Sequence, residues 1–159
     1  VVQDAEYNIT ITAKDNTEKI LPVDIGMKKK MIDTCTPGEL IALRSVTASL
    51  AWVARQVRPR LSYRVSKLQT ICGNATIKDL KTANKVLEFA LETSTEGLYY
   101  KAGAISWDDA VVATITDASF GNEEEIVNGV VEGGRSQQGY VLCLGPPDLV
   151  NLRLPMSIS

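Results

Sequence analysis

The spacing of apolar residues changes twice along the chain. Residues 7–12 alternate between β-branched and polar side chains, which predicts a half-buried strand. Residues 36–96 carry apolar side chains at intervals of three and four, which predicts helices. Beyond residue 97 the apolar residues return as short β-branched runs. The pattern therefore predicts an α+β chain with an N-terminal strand, three helices and then antiparallel strands.

Punctuating residues mark where the three helices begin and end. The first helix begins at the capping box of residues 36–39, with proline at its first position, and cannot continue through Pro59. The second begins at Pro59 and stops at Gly73. The third opens at Thr76, with Asp79 three residues later as its capping partner. Each helix presents one apolar stripe, so we expect the three to pack together.

The segment after the helices is predicted to contain several strands. Residues 97–101, 110–116 and 139–144 are strand candidates, and the β-branched run 110–116 is expected to be a central strand. Residues 117–138 are acidic and contain a Gly-Gly pair, which predicts a loop. A further strand is expected to begin over Val150–Leu154.

The change in period also predicts how the chain is organised. The polar residues 13–35, with a proline and a run of three lysines, are expected to be a linker or an irregular segment. A boundary is expected near residue 97, where the helical period ends. We therefore divide the chain into residues 1–35, 36–96 and 97–159.

Composition excludes several classes of protein. The chain has 159 residues, of which 45% are hydrophobic and 23% charged, as is typical of a soluble globular protein. No apolar run approaches the ~20 residues of a membrane span, and no signal peptide is recognisable, so we expect an intracellular, unsecreted protein without a membrane partner. Histidine is absent, which excludes imidazole catalysis and histidine-ligated metals. The three cysteines form no CxxC pair, so neither a metal knuckle nor a redox pair is expected.

Charge is segregated along the sequence. From residue 40 to 78 there are seven basic residues and no acidic one. Such a segment indicates a polyanionic partner, because phosphate contact needs only charge and reach. The alternative is a set of solvent-facing cations balanced by other elements. The candidate nucleic-acid-binding residues bracket the helix break at Pro59 and are Arg55, Arg58, Arg60, Arg64 and Lys67.

The acidic residues lie mostly in the following segment. From residue 102 to 134 there are seven acidic residues and no basic one. Asp117 directly follows the most β-branched run, so it is placed at the predicted end of a central strand, where a carboxylate is suited to hold Mg²⁺. The alternative for Asp117 is an ordinary aspartate in a turn. Glu123–Glu125 are expected to form a solvated loop.

Five sequence motifs follow one another along the chain. They are Leu43–Ser45 with Ser49–Gln56 and Arg58-Pro59, Leu61–Leu68, Ala83–Ala90, Thr95–Tyr100, and Thr116–Gly121 with Ser136–Gly145. In this order they resemble the end of the reverse transcriptase region of copia-type LTR retrotransposon Pol polyproteins and the opening of the RNase H domain that follows in that family. Two departures occur: Ala48 replaces the family's glycine before Ser-Leu, and Arg60 replaces its acidic residue after Arg-Pro.

This resemblance implies a role for each part of the chain. Residues 1–35 would be the end of the reverse transcriptase region and a linker, and residues 36–96 the helical thumb or connection segment. Residues 97–159 would be the truncated N-terminal part of an RNase H-like domain, with an incomplete antiparallel sheet. The implied partners are an RNA–DNA hybrid or primer–template, the polymerase palm upstream and the remaining RNase H domain downstream. The implied location is a cytoplasmic particle or the nucleus.

The resemblance also implies which catalytic groups the chain carries. The parent would be an RNA-directed DNA polymerase with RNase H activity, but no Tyr-x-Asp-Asp motif is present. Of the four carboxylates that hold two Mg²⁺ ions in the family's RNase H site, only Asp117 has a match, as catalytic and metal-binding residue. We therefore expect residues 1–159 alone to be inactive as an enzyme. Two alternatives stay open: an α/β interaction module with no nucleic-acid role, and a decayed element.

Overall fold

Helices and antiparallel strands form in the order that the hydrophobic pattern predicts, so the α+β class is confirmed. The structure is a computed structural model that describes residues 1–127 and 130–149. The chain divides into two units, Val1–Ala102 and Gly103–Ser159. The strand expected over Val150–Leu154 lies outside the described residues. None of the described helices is long and apolar enough to cross a membrane.

Three helices build the core of the first unit. They are α2 (Pro37–Gln56), α3 (Ser62–Ile71) and α4 (Ile77–Glu92), and a 3₁₀ turn, Pro59–Leu61, joins the first two. Their apolar stripes face one another, as the spacing predicts, and burial of these stripes drives the packing. The fully buried aliphatic side chains of this core are Leu43, Leu50, Val53, Leu61, Leu68, Ile77, Leu80 and Leu87.

Both predicted capping boxes are present. The backbone N–H of Thr36 donates to the carboxylate of Glu39 at 2.8 Å, and the N–H of Glu39 donates to the Thr36 hydroxyl at 3.4 Å. At the start of α4 the N–H and hydroxyl of Thr76 donate to the Asp79 carboxylate at 2.8 and 2.7 Å. These bonds satisfy donors that a helix start otherwise leaves without partners, which fixes where α2 and α4 begin.

Residues 13–35 are more ordered than their polar composition predicts. A short helix, α1 (Lys14–Glu18), buries Thr17, whose hydroxyl donates to the carbonyl of Ala13 at 2.8 Å. The buried Val23 exchanges two hydrogen bonds of 2.9 Å with the side-chain amide of Asn84 on α4. Residues 20–35 are otherwise irregular, as expected, whereas α1 and the long-range hydrogen bonds to α4 leave no local sequence pattern and were not predicted.

A three-stranded sheet completes the first unit. It joins β1 (Val2–Gln3), β2 (Ile9–Thr12) and β3 (Gly97–Tyr100) in antiparallel order. The pairing of β2 with β3 places residues 97–102 in the first unit, beyond the boundary that the change in period predicts near residue 97. At Gly97 a Cβ atom would overlap the carbonyl oxygen of Ile11, so only glycine fits this closely approached position.

The second unit is built on one long β-hairpin. Its strands are β4 (Val111–Val127) and β5 (Val130–Gly145), and their pairing runs from Val111 opposite Gly145 to Val127 opposite Val130. The loop predicted over residues 117–138 is therefore mostly paired strand, with register shifts on either side of Glu123. An isolated two-stranded ribbon needs no alternating apolar pattern, because backbone hydrogen bonds alone define it, and this explains why the polar sequence misled the prediction.

Candidate nucleic-acid interface

A row of cations and one aromatic ring lies along the outer side of α3 and the turn that precedes it. These residues are Arg60, Tyr63, Arg64 and Lys67, and we call the surface that they form the α3 face. All four are exposed, and their spacing of three and four residues places them on one side of the helix. Three of the five sequence-predicted binding residues thus lie together.

Aromatic rings hold two of these cations close to the helix. The guanidinium of Arg64 lies over the ring of Phe89 on α4, 4.2 Å from the ring centre. The ammonium of Lys67 lies 5.3 Å from the centre of the Tyr63 ring. Cation–π contacts restrict the rotamers of long side chains without neutralising their charge.

The third cation has an acidic partner. A terminal nitrogen of Arg60 lies 3.1 and 3.2 Å from the two carboxylate oxygens of Glu96; the side chain of Arg60 is 64% exposed and that of Glu96 is 40% exposed. An exposed ion pair contributes at most about 1 kcal/mol, so a phosphate oxygen can displace Glu96 at small cost. Glu96 is therefore an exchangeable partner of Arg60 at one end of the α3 face.

Arg58 does not lie on the surface, although the sequence predicts it among the phosphate-binding residues. Its side chain is buried, with 3% of the residue exposed. The guanidinium donates to the carbonyl oxygen of Ala90 at 2.7 Å and to the hydroxyl of Thr93. This burial lowers the pKa of Arg58, but an arginine stays charged at neutral pH. Arg58 therefore caps the carboxyl end of α4, and its guanidinium donates to partners inside the fold rather than facing solvent.

The remaining predicted cation, Arg55, lies on a different helix from the α3 face. It is exposed in the last turn of α2, where a positive charge also complements the carbonyl end of the helix dipole. The structure thus separates the five candidates: three on the α3 face, Arg55 at the end of α2, and Arg58 in the interior.

Trp52 on α2 contributes to a different feature. Its indole is about half exposed and lines a groove of about 540 Å³ between α2 and residues 16–22. Small side chains on α2, including Ser45 and Ser49, leave this space open. The residues that line this groove include one cation, Lys19, so the groove differs from the α3 face, where three cations lie together.

Asp117 lies inside a strand, whereas the sequence predicts it at a strand end. It is exposed on β4 and pairs with Gly139 of β5. Among the side chains that the structure describes, no group of three or more cysteine, aspartate or glutamate residues gathers in a way that would hold a metal ion. Asp117 supplies one carboxylate, whereas two Mg²⁺ ions about 4 Å apart need several.

Three contributors to this region had no signal in the local sequence. Phe89 supports Arg64 from 25 residues away in the chain, and the hydrogen bonds from Arg60 to Glu96 and from Arg58 to Thr93 span 36 and 35 residues. Periodicity places each residue on a helix but does not say which helices adjoin.

Comparison with protein-family models, with curated proteins and with solved structures found no match to this chain.

Proposed function

We propose that this chain is a segment of a copia-type retrotransposon reverse transcriptase/RNase H polyprotein, and that its α3 face holds the RNA–DNA hybrid between the two active sites. The single observation that carries the binding role is the alignment of Arg60, Arg64 and Lys67 beside the exposed ring of Tyr63. Cations in a row contact successive phosphates, and an aromatic ring stacks on a base or sugar.

The charge distribution of residues 40–78 supports this role. Residues 40–78, which contain α3, carry seven basic residues and no acidic one. Glu96 forms an ion pair with Arg60, and the largely exposed Arg60 can exchange this partner for phosphate. A positive field along an exposed helix attracts a polyanion independently of its base sequence. A surface that holds any template requires such sequence-independent binding.

The hairpin is compatible with the second part of the proposal. The sequence resemblance implies that the first antiparallel strands of an RNase H-like sheet lie here, and β4 and β5 are antiparallel with apolar side chains on both faces. Under this proposal Asp117 would be one ligand of the Mg²⁺ site of the whole polyprotein. The other carboxylates would come from outside residues 1–159, so this chain alone would not cleave a hybrid.

Binding of a fluorescent RNA–DNA hybrid tests the proposal. We compare the chain with a variant in which Arg64→Gln and Lys67→Gln remove two charges but keep most of each side-chain stem. The matched control, Lys14→Gln with Lys19→Gln, removes two exposed cations from α1 and the residue after it. The proposal predicts weaker binding for the α3 variant on every hybrid sequence, and binding close to that of the unmodified chain for the control.

A protein-interaction module is the second candidate, and one observation favours it. Apolar residues stay exposed on the hairpin, including Val112, Tyr140 and Leu142, and large exposed apolar surface marks interaction sites. Absence of hybrid binding at low salt, with the helices folded, would favour this candidate over nucleic-acid holding.

A further inference from the structure

A second row of cations lies on the exposed side of α4. Lys78, Lys81 and Lys85 follow one another at intervals of three and four residues, so they share one side of the helix, and all three are exposed. Among the side chains that the structure describes, none of the three ammonium groups forms a salt bridge with a carboxylate. We call these three lysines the α4 row.

The charges along α4 oppose what helix stability favours. Lys78 lies in the first turn, where the helix dipole disfavours a cation, and Glu92 is the last residue, where the dipole disfavours an anion. Lys81 and Lys85 are like charges four residues apart, a spacing at which they repel each other. The α4 row therefore destabilises the isolated helix, and a bound polyanion would remove that repulsion.

The carboxylates near the α4 row leave its charge in place. Asp79 accepts two hydrogen bonds from Thr76 and so belongs to the helix cap. Asp33 accepts the backbone N–H of Lys30 at 2.8 Å. Glu88, on the turn of α4 that follows the row, is exposed and forms no salt bridge among the described side chains. The surface of the first half of α4 is therefore positive.

The α4 row continues the α3 face across one aromatic ring. The guanidinium of Arg64 lies over Phe89, 4.2 Å from the ring centre. Phe89 follows Lys85 by four residues, so the ring and this lysine lie on the same side of α4, one turn apart. Packed helices have axes about 8–10 Å apart, so the cations of the two helices form one continuous positive surface.

We propose that the α4 row is a second phosphate-binding site, which contacts the backbone of the same RNA–DNA hybrid as the α3 face. The identity of this partner rests on the proposed function. The row extends over seven residues, about 10 Å along the helix, which exceeds one phosphate and fits several phosphates of a nucleic-acid backbone. Contact with phosphates needs charge and reach only, so the α4 row would bind every hybrid sequence alike.

Hybrid binding by three variants, each with two positive charges fewer than the unmodified chain, tests this proposal. The substitutions keep most of each side-chain stem, and every substituted residue is exposed. Fluorescence anisotropy at 0.1 M salt gives the affinities, and urea unfolding reports the stability of each protein. The three pairs are Lys81→Gln with Lys85→Gln in the α4 row, Arg64→Gln with Lys67→Gln in the α3 face, and Lys14→Gln with Lys19→Gln as the matched control.

We expect the α4 variant to bind the hybrid more than about tenfold more weakly than the unmodified chain. The reason is that each phosphate contact strengthens binding by about eightfold between 1 M and 0.1 M salt. The control should bind nearly as tightly as the unmodified chain. The urea midpoint of the α4 variant should not fall, because the substitutions remove a repulsive pair. Weaker binding at an undiminished midpoint therefore assigns the lysines to binding rather than to folding.

The outcomes for the α4 row and for the α3 face are distinguishable. An α4 variant that binds as tightly as the control, while the α3 variant is weakened, would overturn the α4 row and leave the proposed function standing. Weaker binding by the α4 variant alone would support the α4 row and contradict the α3 face. An unmodified chain that does not bind the hybrid at low salt would overturn both.

Discussion

The guanidinium of Arg58 donates a 2.7 Å hydrogen bond to the carbonyl oxygen of Ala90, the residue at which α4 approaches its end. This bond connects the corner after α2 to the last turn of α4, across 32 residues of sequence. Two residues later Arg60 points the other way, into solvent, where it meets Glu96. Arginines on either side of Pro59 therefore serve different purposes, one within the fold and one on the α3 face.

This difference predicts opposite consequences for two similar substitutions. Arg58→Ala removes charged hydrogen bonds and leaves the Ala90 carbonyl without that donor, so we expect a loss of about 2–3 kcal/mol in the free energy of unfolding. Arg60→Ala, the matched control, should cost less than about 1 kcal/mol because its ion pair is exposed. Urea unfolding followed by helical circular dichroism measures both. Equal losses for the two variants would contradict the assignment.

Gly97 predicts a steric effect at the joint between the helices and the sheet. A methyl group in Gly97→Ala would overlap the carbonyl oxygen of Ile11 and force β3 away from β2. We expect a destabilisation of about 1–3 kcal/mol, the range for overpacked sites. The control is Gly73→Ala, where an added Cβ meets nothing within 4 Å. Thermal unfolding should show a clear drop for Gly97→Ala only; a stability equal to that of the control would show that the strands separate freely.

Glu39 makes the first unit sensitive to acid. Hydrogen bonds from the Lys29 ammonium, at 2.6 and 2.7 Å, and from Thr36 lower the pKa of Glu39 to about 2, from the ordinary value of 4.5. A carboxyl whose pKa is lowered by folding stabilises the fold above its unfolded pKa, and this contribution is lost as the pH falls.

The predicted pH window follows from these two values. The Glu39 contribution should be complete at neutral pH, decline from about pH 4.5 downward and vanish near pH 2. Glu39→Gln removes the titrating group, so the stability difference between the two proteins should shrink over that window. The measurement is the denaturant midpoint of each protein at several pH values. A difference that stayed constant down to pH 2 would contradict the role of the Lys29–Glu39 pair.

Glu96 predicts a gain of binding, provided that the α3 face binds phosphate. Glu96→Gln removes the carboxylate that competes for Arg60, so affinity for an RNA–DNA hybrid should rise by a few-fold, as expected for an exposed pair. In a protein that already carries Arg60→Gln, adding Glu96→Gln should leave the affinity unchanged, because the cation for which Glu96 competes has been removed. Fluorescence anisotropy gives all four affinities. An equal gain in both backgrounds would show a general charge effect rather than competition at Arg60.

Sequence reasoning predicted the local features well and the long-range ones poorly. Both capping boxes and the turn at Pro59 were predictable, because these signals lie within four residues of one another. The buried position of Arg58 and the docking of Val23 against Asn84 depend on partners far along the chain. The hairpin strands at residues 110–116 and 139–144 were predicted, but residues 117–138 between them were predicted as a loop because their polar sequence resembles one, while most of them are paired strand. On the α3 face the sequence supplied the cations, and packing decided which of them face outward.

The salt dependence of hybrid binding is a direct measure of phosphate contact at the α3 face. Each phosphate contact contributes a slope of about 0.9 to the fall of log affinity with log salt on B-form DNA, and a comparable amount on a hybrid. The account predicts a steep slope for the full chain, a slope lower by about two for Arg64→Gln with Lys67→Gln, and an unchanged slope for Lys14→Gln with Lys19→Gln. A slope that is the same in all three proteins would contradict phosphate contact at the α3 face.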